Sequence, residues 1–347
     1  MLVRDVGEAR LIELLSEVVD VEATDQPDAH RFPLRLGIGD DAAAWQGPAT
    51  TMVATADALV EGVHFHLDRI DWPDLGWKAL AVNLSDVAAM GCMPLYSTVT
   101  LGLRGDLPVD GIEAMYRGMA EISREFGGRV VGGDVVRSAT MFIGVAMYGA
   151  AMPREGNGDT PNEPLLTRTA AAAGDVIAVT GSFGCSAGGL YSLATKLAKR
   201  PGNEATAHLV EAHNRPVPRV SAGIQLARRG VKTAIDISDG LVADLGKLCK
   251  ASGVSAVVDA DDLPVDDHLR QAFPDRWLPL ALAGGEDYEL LFTAAPALMA
   301  ELHQALDVRT TTIGEVAEGP PQVTVLDENG APIDVEHLRW DHFADDA

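Results

Sequence analysis

Acidic residues stand at the ends of apolar, β-branched runs along this chain, and that juxtaposition limits both its fold and its chemistry. The runs TMVATADALV, RVVGGDVV, MFIGVAMYGA, VIAVTG, TAIDIS and YELLFTA read as strands, because β-branched and aromatic side chains suit a pleated, half-buried surface. Between them, WPDLGWKALAVNLSDVAAMG, PVDGIEAMYRGMAEISREFG, SAGGLYSLATKLAK and SDGLVADLGKLCKASG carry helical periodicity. This mixed order predicts an α/β or α+β protein. A chain of 347 residues has room for two domains, each with its own core. The stretch PREGNGDTPNE is rich in proline, glycine and polar residues, which predicts a first domain over residues 1–152, a linker over 153–167 and a second domain over 168–347. Near the end, DENGAP carries the Asn-Gly signal of a hairpin turn.

The acids recur at loop positions: Asp40 and Asp41 in LGIGDDAAAW, then Asp57, Asp86, Asp134 after Gly132-Gly133, Asp236 with Asp239, and Glu286 with Asp287 after Gly284-Gly285. A charge at the end of a buried strand is costly unless it reaches solvent or a cation. Any one of these acids reads equally as a solvated turn or a cap. As a set converging on one cleft, they would form a hard-oxygen site suited to Mg²⁺, which commonly bridges protein carboxylates to substrate phosphates.

Familiar phosphate motifs do not fit. Gly37, Gly39 and Ala42 have dinucleotide-turn spacing, but Asp40 and Asp41 stand where a pyrophosphate would lie, and Pro48 leaves little room for the following helix. GLVADLGKL resembles a Walker loop with its glycines one residue too far apart and Leu248 in place of the magnesium-binding hydroxyl. Gly181-Ser182-Phe183-Gly184, after a strand and before a helix, is either an anion-binding nest or simply a tight connection.

Charge narrows the partners. With 51 acidic against 27 basic residues, a formal charge of −24 and a pI near 4.6, the chain is unsuited to nonspecific binding of nucleic acid or anionic membrane. Its N-terminus reads as an amphipathic helix without the apolar core of a signal peptide, and TMFIGVAMYGAAM is too short to span a bilayer. A cytoplasmic protein is expected. Cys92, Cys185 and Cys249 are scattered without a CxxC or adjacent histidines, which predicts buried thiols and suggests neither disulfides nor zinc.

Further residues carry two readings each. Ser85 and Ser238, in NLSDVAAMG and DISDGLVADLG, read as helix caps. His64 and His66 would share one face of a strand, a metal-ligand spacing, although no third imidazole or thiolate lies nearby in sequence. Arg215 and Arg219 flank Pro216-Val217-Pro218, as an anion clamp or, the favoured reading, the start of the next helix.

In this order, LGIGDDAAAW, DALVEGVHF, KALAVNLSDVAAMG, VVGGDVVRS, VTGSFGCSAGGL, AIDISDGLVADLG, GGEDYELLF and WDHFA resemble the thiamine-monophosphate kinase family of the superfamily that includes aminoimidazole ribonucleotide synthetase. The resemblance implies a two-domain synthetase-like fold, with an N-terminal mixed-sheet domain that builds a barrel in a homodimer and a C-terminal α/β domain. It implies ATP-dependent, Mg²⁺-assisted phosphorylation of thiamine monophosphate to thiamine diphosphate. Asp41, Asp57, Asp86, Asp134, Asp236 and Asp239 correspond to magnesium ligands, with Thr55 a further oxygen donor and Ala56 contributing at most its backbone carbonyl. Tyr116, Gly133, Asp134, Arg168 and Ser238 correspond to nucleotide contacts, and His64, Glu286 and Phe343 to the thiamine-phosphate pocket, where an acid and an aromatic ring suit a cationic heterocycle. The acceptor is itself an anionic phosphate, so no nucleophile or general base is assigned. The alternatives are another ATP-dependent synthetase of the superfamily, or a non-catalytic nucleotide or cation binder.

Overall fold

The computed structural model describes residues 1–21, 34–36, 44–45, 47, 50–153, 164–195, 197 and 204–335. Asp40, Asp41, Phe343 and most of the expected linker lie outside these residues. The chain divides into two compact units, Met1–Val87 with Cys92–Ala151, and Ala88–Gly91 with Met152–Ala347. The fold is mixed α/β.

The first unit begins with helix α1 (Val3–Val21) and the short antiparallel pair β1 (Leu34–Leu36) and β2 (Ala44–Trp45). Its main sheet has the order β3–β6–β4–β5, from β3 (Met52–Val60), β4 (Cys92–Leu103), β5 (Arg129–Arg137) and β6 (Phe142–Ala151). Only β4 and β5 run parallel. Helices α2 (Trp72–Ala89) and α3 (Val109–Phe126) complete the unit. In β6 the alternation is clean: Ile143, Val145 and Met147 are buried while their neighbours are partly exposed. That is the period-two pattern of a strand with one face in the core. Strand β4, central and almost wholly buried, was not among the runs recognised in the sequence. Pro94 and the register irregularity between Pro94 and Tyr96 interrupt the pairing signal there.

The second unit holds a seven-stranded sheet in the order β13–β12–β9–β11–β7–β10–β8. Its strands are β7 (Val176–Thr180), β8 (Thr233–Asp236), β9 (Ser255–Asp259), β10 (Leu290–Ala294), β11 (Thr310–Ala317), β12 (Gln322–Leu326) and β13 (Pro332–Ile333). Helices α4 (Cys185–Ala194), α5 (Glu204–Asn214), α6 (Val220–Arg229), α7 (Leu241–Ser252), α8 (Asp267–Ala272), α9 (Trp277–Ala283) and α10 (Pro296–Ala305) surround it. The core joins Ile177, Val179, Ile235, Leu291 and Ile313 from the sheet to Leu241, Leu245 and Leu248 on one face of α7. DENGAP is the β12–β13 hairpin, where the Asp327 carboxylate accepts from the Asn329 and Ala331 amides at 2.9 and 2.8 Å. All three cysteines are buried and free. No described helix is long and apolar enough to cross a membrane.

Candidate active site

In the first unit, helix α2 faces strand β3 with a polar patch. Asn83 and Asp86, three residues apart, share one side of the helix. Thr55 Oγ1 donates to Asp86 Oδ2, and the Asp57 amide donates to Asn83 Oδ1 at 3.2 Å. Thr55 and Asp57 point to the same face because strand side chains alternate. Ala56, paired with Ala146, therefore lies on the other face and is exposed. Thr55 and Asp86 are brought together as oxygen donors, with Asp57 on the same strand face as Thr55.

Asp134 stands elsewhere in the sheet. Asp57, Val145, Val99 and Gly133 form one cross-strand row, and Ala58, Gly144, Thr100 and Asp134 form the next. Three inter-strand spacings, roughly 14 Å, separate the two ends of a row. Asp134 belongs to the exposed row, with Thr100 and Ala58. Gly133 is fixed by sterics: a Cβ there would lie 1.9 Å from the Val99 carbonyl oxygen. Gly133→Ala is expected to destabilise this unit by about 3 kcal/mol, seen as a lower urea midpoint. A midpoint unchanged from the parent would show that β5 shifts freely.

His64 is placed by a turn, which corrects the strand reading of VHFH. Residues 62–64 are a turn at the end of β3, with Val60 N donating to His64 Nδ1 at 3.1 Å and His64 N to Val60 O at 2.9 Å. The same-face spacing with His66 is thereby lost. Tyr116 is 5 % exposed on the buried face of α3, and burial pushes its hydroxyl well up from its ordinary value.

In the second unit, two sequence-distant motifs meet at the ends of β8 and β10. Asp236 pairs with Leu290, and beyond it Glu286 N donates to Ser238 O at 2.8 Å and Tyr288 N to Ile237 O at 2.9 Å. Asp236, Ser238 and Asp239 thus share a platform with Glu286. Gly285 must be small there, since its Cβ would lie 2.5 Å from Ser238 O. Glu286 and Tyr288 have φ of 66° and 51°, a left-handed conformation uncommon for residues with a side chain and found preferentially at functional sites. His213 Nδ1 lies 3.4 Å from Glu286 Oε2 and 2.9 Å from Ser186 Oγ. Arg168 is exposed, its carbonyl receiving Ser252 Oγ at 2.7 Å.

The platform is held by residues that the sequence reading did not single out. Asp244 Oδ2 accepts from the Ser238 and Asp239 amides at 3.0 and 2.9 Å, and Lys247 Nζ bridges Asp239 and Asp244, the latter at 2.7 Å. Burial works against the Lys247 ammonium, but the two carboxylates outweigh it and hold its pKa above the ordinary value. The cap reading of both serines is therefore corrected. Ser85 is buried inside α2, several turns from its start, and at α7 the acid within the helix reaches back where Ser238 was expected to reach forward.

The sequence model described as AIR synthase related protein, N-terminal domain, matches residues 39–151, and that of the C-terminal domain matches residues 172–326. Thiamine-monophosphate kinase of Escherichia coli K12 is 37 % identical over 326 residues, 92 % of this chain and 95 % of that protein. The chain belongs to the thiamine-monophosphate kinase family. The solved thiamine-monophosphate kinase of Stenotrophomonas maltophilia superposes with a TM-score of 0.79 at 36 % identity, over 92 % of this chain and 97 % of that one. AaThiL complexed with AMPPCP and TMP superposes with a TM-score of 0.74 at 30 % identity, over 99 % of each chain.

In this member of the thiamine-monophosphate kinase family the glycine-rich turn already holds a carboxyl group of its own. Asp287 accepts from the Gly184 amide at 2.7 Å and the Ser186 amide at 3.1 Å, capping α4 in the way a bound phosphate would. The proline-flanked arginine is likewise engaged from within: Arg219, just before α6, pairs with buried Glu289, in keeping with the start-of-helix reading. Burial drives the Asp287 carboxyl up to about 7. Since its unfolded value is near 4, the folded state binds the extra proton between these limits. Its contribution to stability is then full below about pH 4 and lost as pH rises through 7. Asp287→Asn is expected to remove that slope, so its urea midpoint relative to the parent rises from pH 5 to pH 8. A constant difference would place the titration elsewhere.

Proposed function

We propose that this chain transfers the γ-phosphoryl group of ATP directly to the phosphate of thiamine monophosphate, giving thiamine diphosphate and ADP. The observation that carries this reading is its similarity, along 99 % of its length, to a structure holding AMPPCP and TMP. The same family motifs supply the residues: Asp41, Thr55, Asp57, Asp86, Asp134, Asp236 and Asp239, with the Ala56 carbonyl, as the magnesium set; Tyr116, Gly133, Asp134, Arg168 and Ser238 for the nucleotide; His64, Glu286 and Phe343 for the thiamine phosphate.

The donor chemistry fits magnesium. Thr55 and Asp86 present hard oxygens side by side, Asp57 shares the strand face of Thr55, and an ammonium from Lys247 rests on Asp239, a position that favours positive charge. Thr55, Asp57, Asp86, Asp236 and Asp239 would hold Mg²⁺, which would supply charge neutralisation for the phosphates. The protein's part is positioning: the Ser238–Glu286 backbone pairing sets the Glu286 carboxylate, and Asn83 fixes the backbone of Asp57. No side chain is required as nucleophile, because the acceptor phosphate is already anionic.

We further propose a cytoplasmic homodimer, in keeping with the need for ATP and Mg²⁺. The first unit's sheet has β3 and β5 at its edges, strands that a partner copy can cover. The test of function is direct. Purified chain with ATP, Mg²⁺ and thiamine monophosphate should form thiamine diphosphate and ADP in equal amounts. No product under conditions where another acceptor consumes ATP overturns the reading. Labelled protein after brief exposure to labelled ATP alone overturns direct transfer.

A further inference from the structure

Outside the proposed active site, the second unit brings together residues that the sequence keeps far apart. Cys185 opens α4, His208 lies in α5, and Asp266 precedes α8. One ligand atom from each lies within 4.8 Å of the other two. We propose that Cys185, His208 and Asp266 form a site for a single transition-metal ion, Zn²⁺ by donor type, that staples these three elements.

The donor set distinguishes this site from the magnesium residues. A thiolate and an imidazole select borderline, thiophilic ions over Mg²⁺, and one sulfur, one nitrogen and one carboxylate oxygen are ordinary zinc ligands. Tetrahedral zinc bonds place their ligand atoms roughly 3.3–3.8 Å apart. His208 Nε2 and Asp266 Oδ2, at 3.2 Å, already stand at about that separation. Closing the remaining gaps needs shifts of about 1 Å, within the reach of a partly exposed imidazole.

The surroundings prepare the ligands. Burial alone would raise the Asp266 carboxyl, but the His268 amide and ring, with His208, outweigh it and hold the group below its ordinary range, ionised. His268 Nδ1 holds Asp266 Oδ1 at 2.8 Å and its amide holds the same oxygen at 2.7 Å. That leaves Oδ2 on the His208 side, the supporting arrangement that orients a metal-bound carboxylate. The His208 and His268 rings stack at 4.2 Å, each with over two-fifths of its side chain exposed, so an ion can arrive from solvent. Cys185 forms the buried floor, packed with Leu209, Leu269 and Phe273. Burial and the nearby carboxylates push its thiol upward, and a bound cation reverses that balance, releasing the thiol proton to solvent as the sulfur–metal bond forms. Zinc was not suggested by the sequence because the ligands lie 23 and 58 positions apart, outside any short motif.

The test uses the full-length protein, stripped of metal and held in millimolar Mg²⁺ to occupy carboxylate sites, then titrated with Co²⁺. A thiolate-to-cobalt charge-transfer band with tetrahedral visible bands, saturating at one equivalent and displaced by Zn²⁺, is expected. Cys185→Ser should abolish the charge-transfer band, His208→Ala should weaken Co²⁺ binding by about 100-fold, and His268→Ala by about 10-fold. Cys249→Ser should leave the spectrum unchanged. Absence of the charge-transfer band in the parent overturns the proposal, as does a band that survives in Cys185→Ser. Should Cys185→Ser fail to fold, His208→Ala at a partly exposed position decides: unaltered Co²⁺ affinity there overturns the site.

Discussion

Replacing Asp57 with Asn is expected to lower kcat/KM for thiamine diphosphate formation by on the order of 10²–10³-fold. The substitution keeps the size of the side chain and leaves the backbone amide of residue 57 on Asn83 Oδ1, so strand β3 and helix α2 stay in place. What it removes is one negative charge from the strand face shared with Thr55. Charge neutralisation and alignment are the catalyst's main contributions to phosphoryl transfer, and an amide oxygen is a far weaker partner for a hard cation than a carboxylate. The loss should be partly offset by raising Mg²⁺, and circular dichroism should match the parent. Turnover within threefold of the parent at limiting Mg²⁺ would falsify the assignment of this residue.

Arg219→Met is expected to destabilise the second unit by about 3–5 kcal/mol, the cost of leaving a buried carboxylate unpaired. Glu289 is 4 % exposed. It accepts from Arg219 Nε at 2.6 Å and Thr180 Oγ1 at 2.6 Å, and Thr180 Oγ1 in turn accepts from the Leu290 amide at 2.8 Å. A Cβ on Gly181 would lie 1.8 Å from the same carboxylate, so the group is enclosed as well as paired. Removing the carboxylate too, in Arg219→Met with Glu289→Met, should recover much of the loss, because an apolar pair of similar volume carries no unpaired charge. Urea unfolding of both variants checks this. A single variant as stable as the parent, or a double variant no better than the single, would show that water reaches Glu289.

These residues also mark where sequence reading succeeds and where it stops. Asp236 and Glu286 could be picked out because each borders an apolar run, a one-dimensional pattern, but the loop positions expected for Asp57, Asp86 and Asp134 are corrected: they lie within β3, α2 and β5. Strand β4 was hidden by Pro94 within it, although it is an interior strand of its sheet. VHFH looked like a strand by alternation, but the turn closed by the His64 ring cannot be read from residue types. The serine caps failed for a related reason: Ser-Asp before helical residues fits both a helix start and a helix interior, and only the 72–89 span of α2 decides for Ser85. The partners of the glycine turn and of Arg219 lie 101 and 70 residues away, beyond any local window. Donors were legible at this site; the groups that satisfy and aim them were not.

The bridge from Lys247 to Asp239 and Asp244 has a consequence for how the protein tolerates metal starvation. Acidic loops that depend on divalent ions for cohesion spring apart under chelators, because nothing else screens their charge. Here a tethered cation does that work, so the loop after β8 keeps its shape in an unloaded chain. On the proposed assignment of Asp239 as a magnesium ligand, the ion would displace a resident ammonium instead of filling a void, so loading would be an exchange. Metal depletion should therefore silence the protein without unfolding it, and restoring the ion should return activity with no refolding lag.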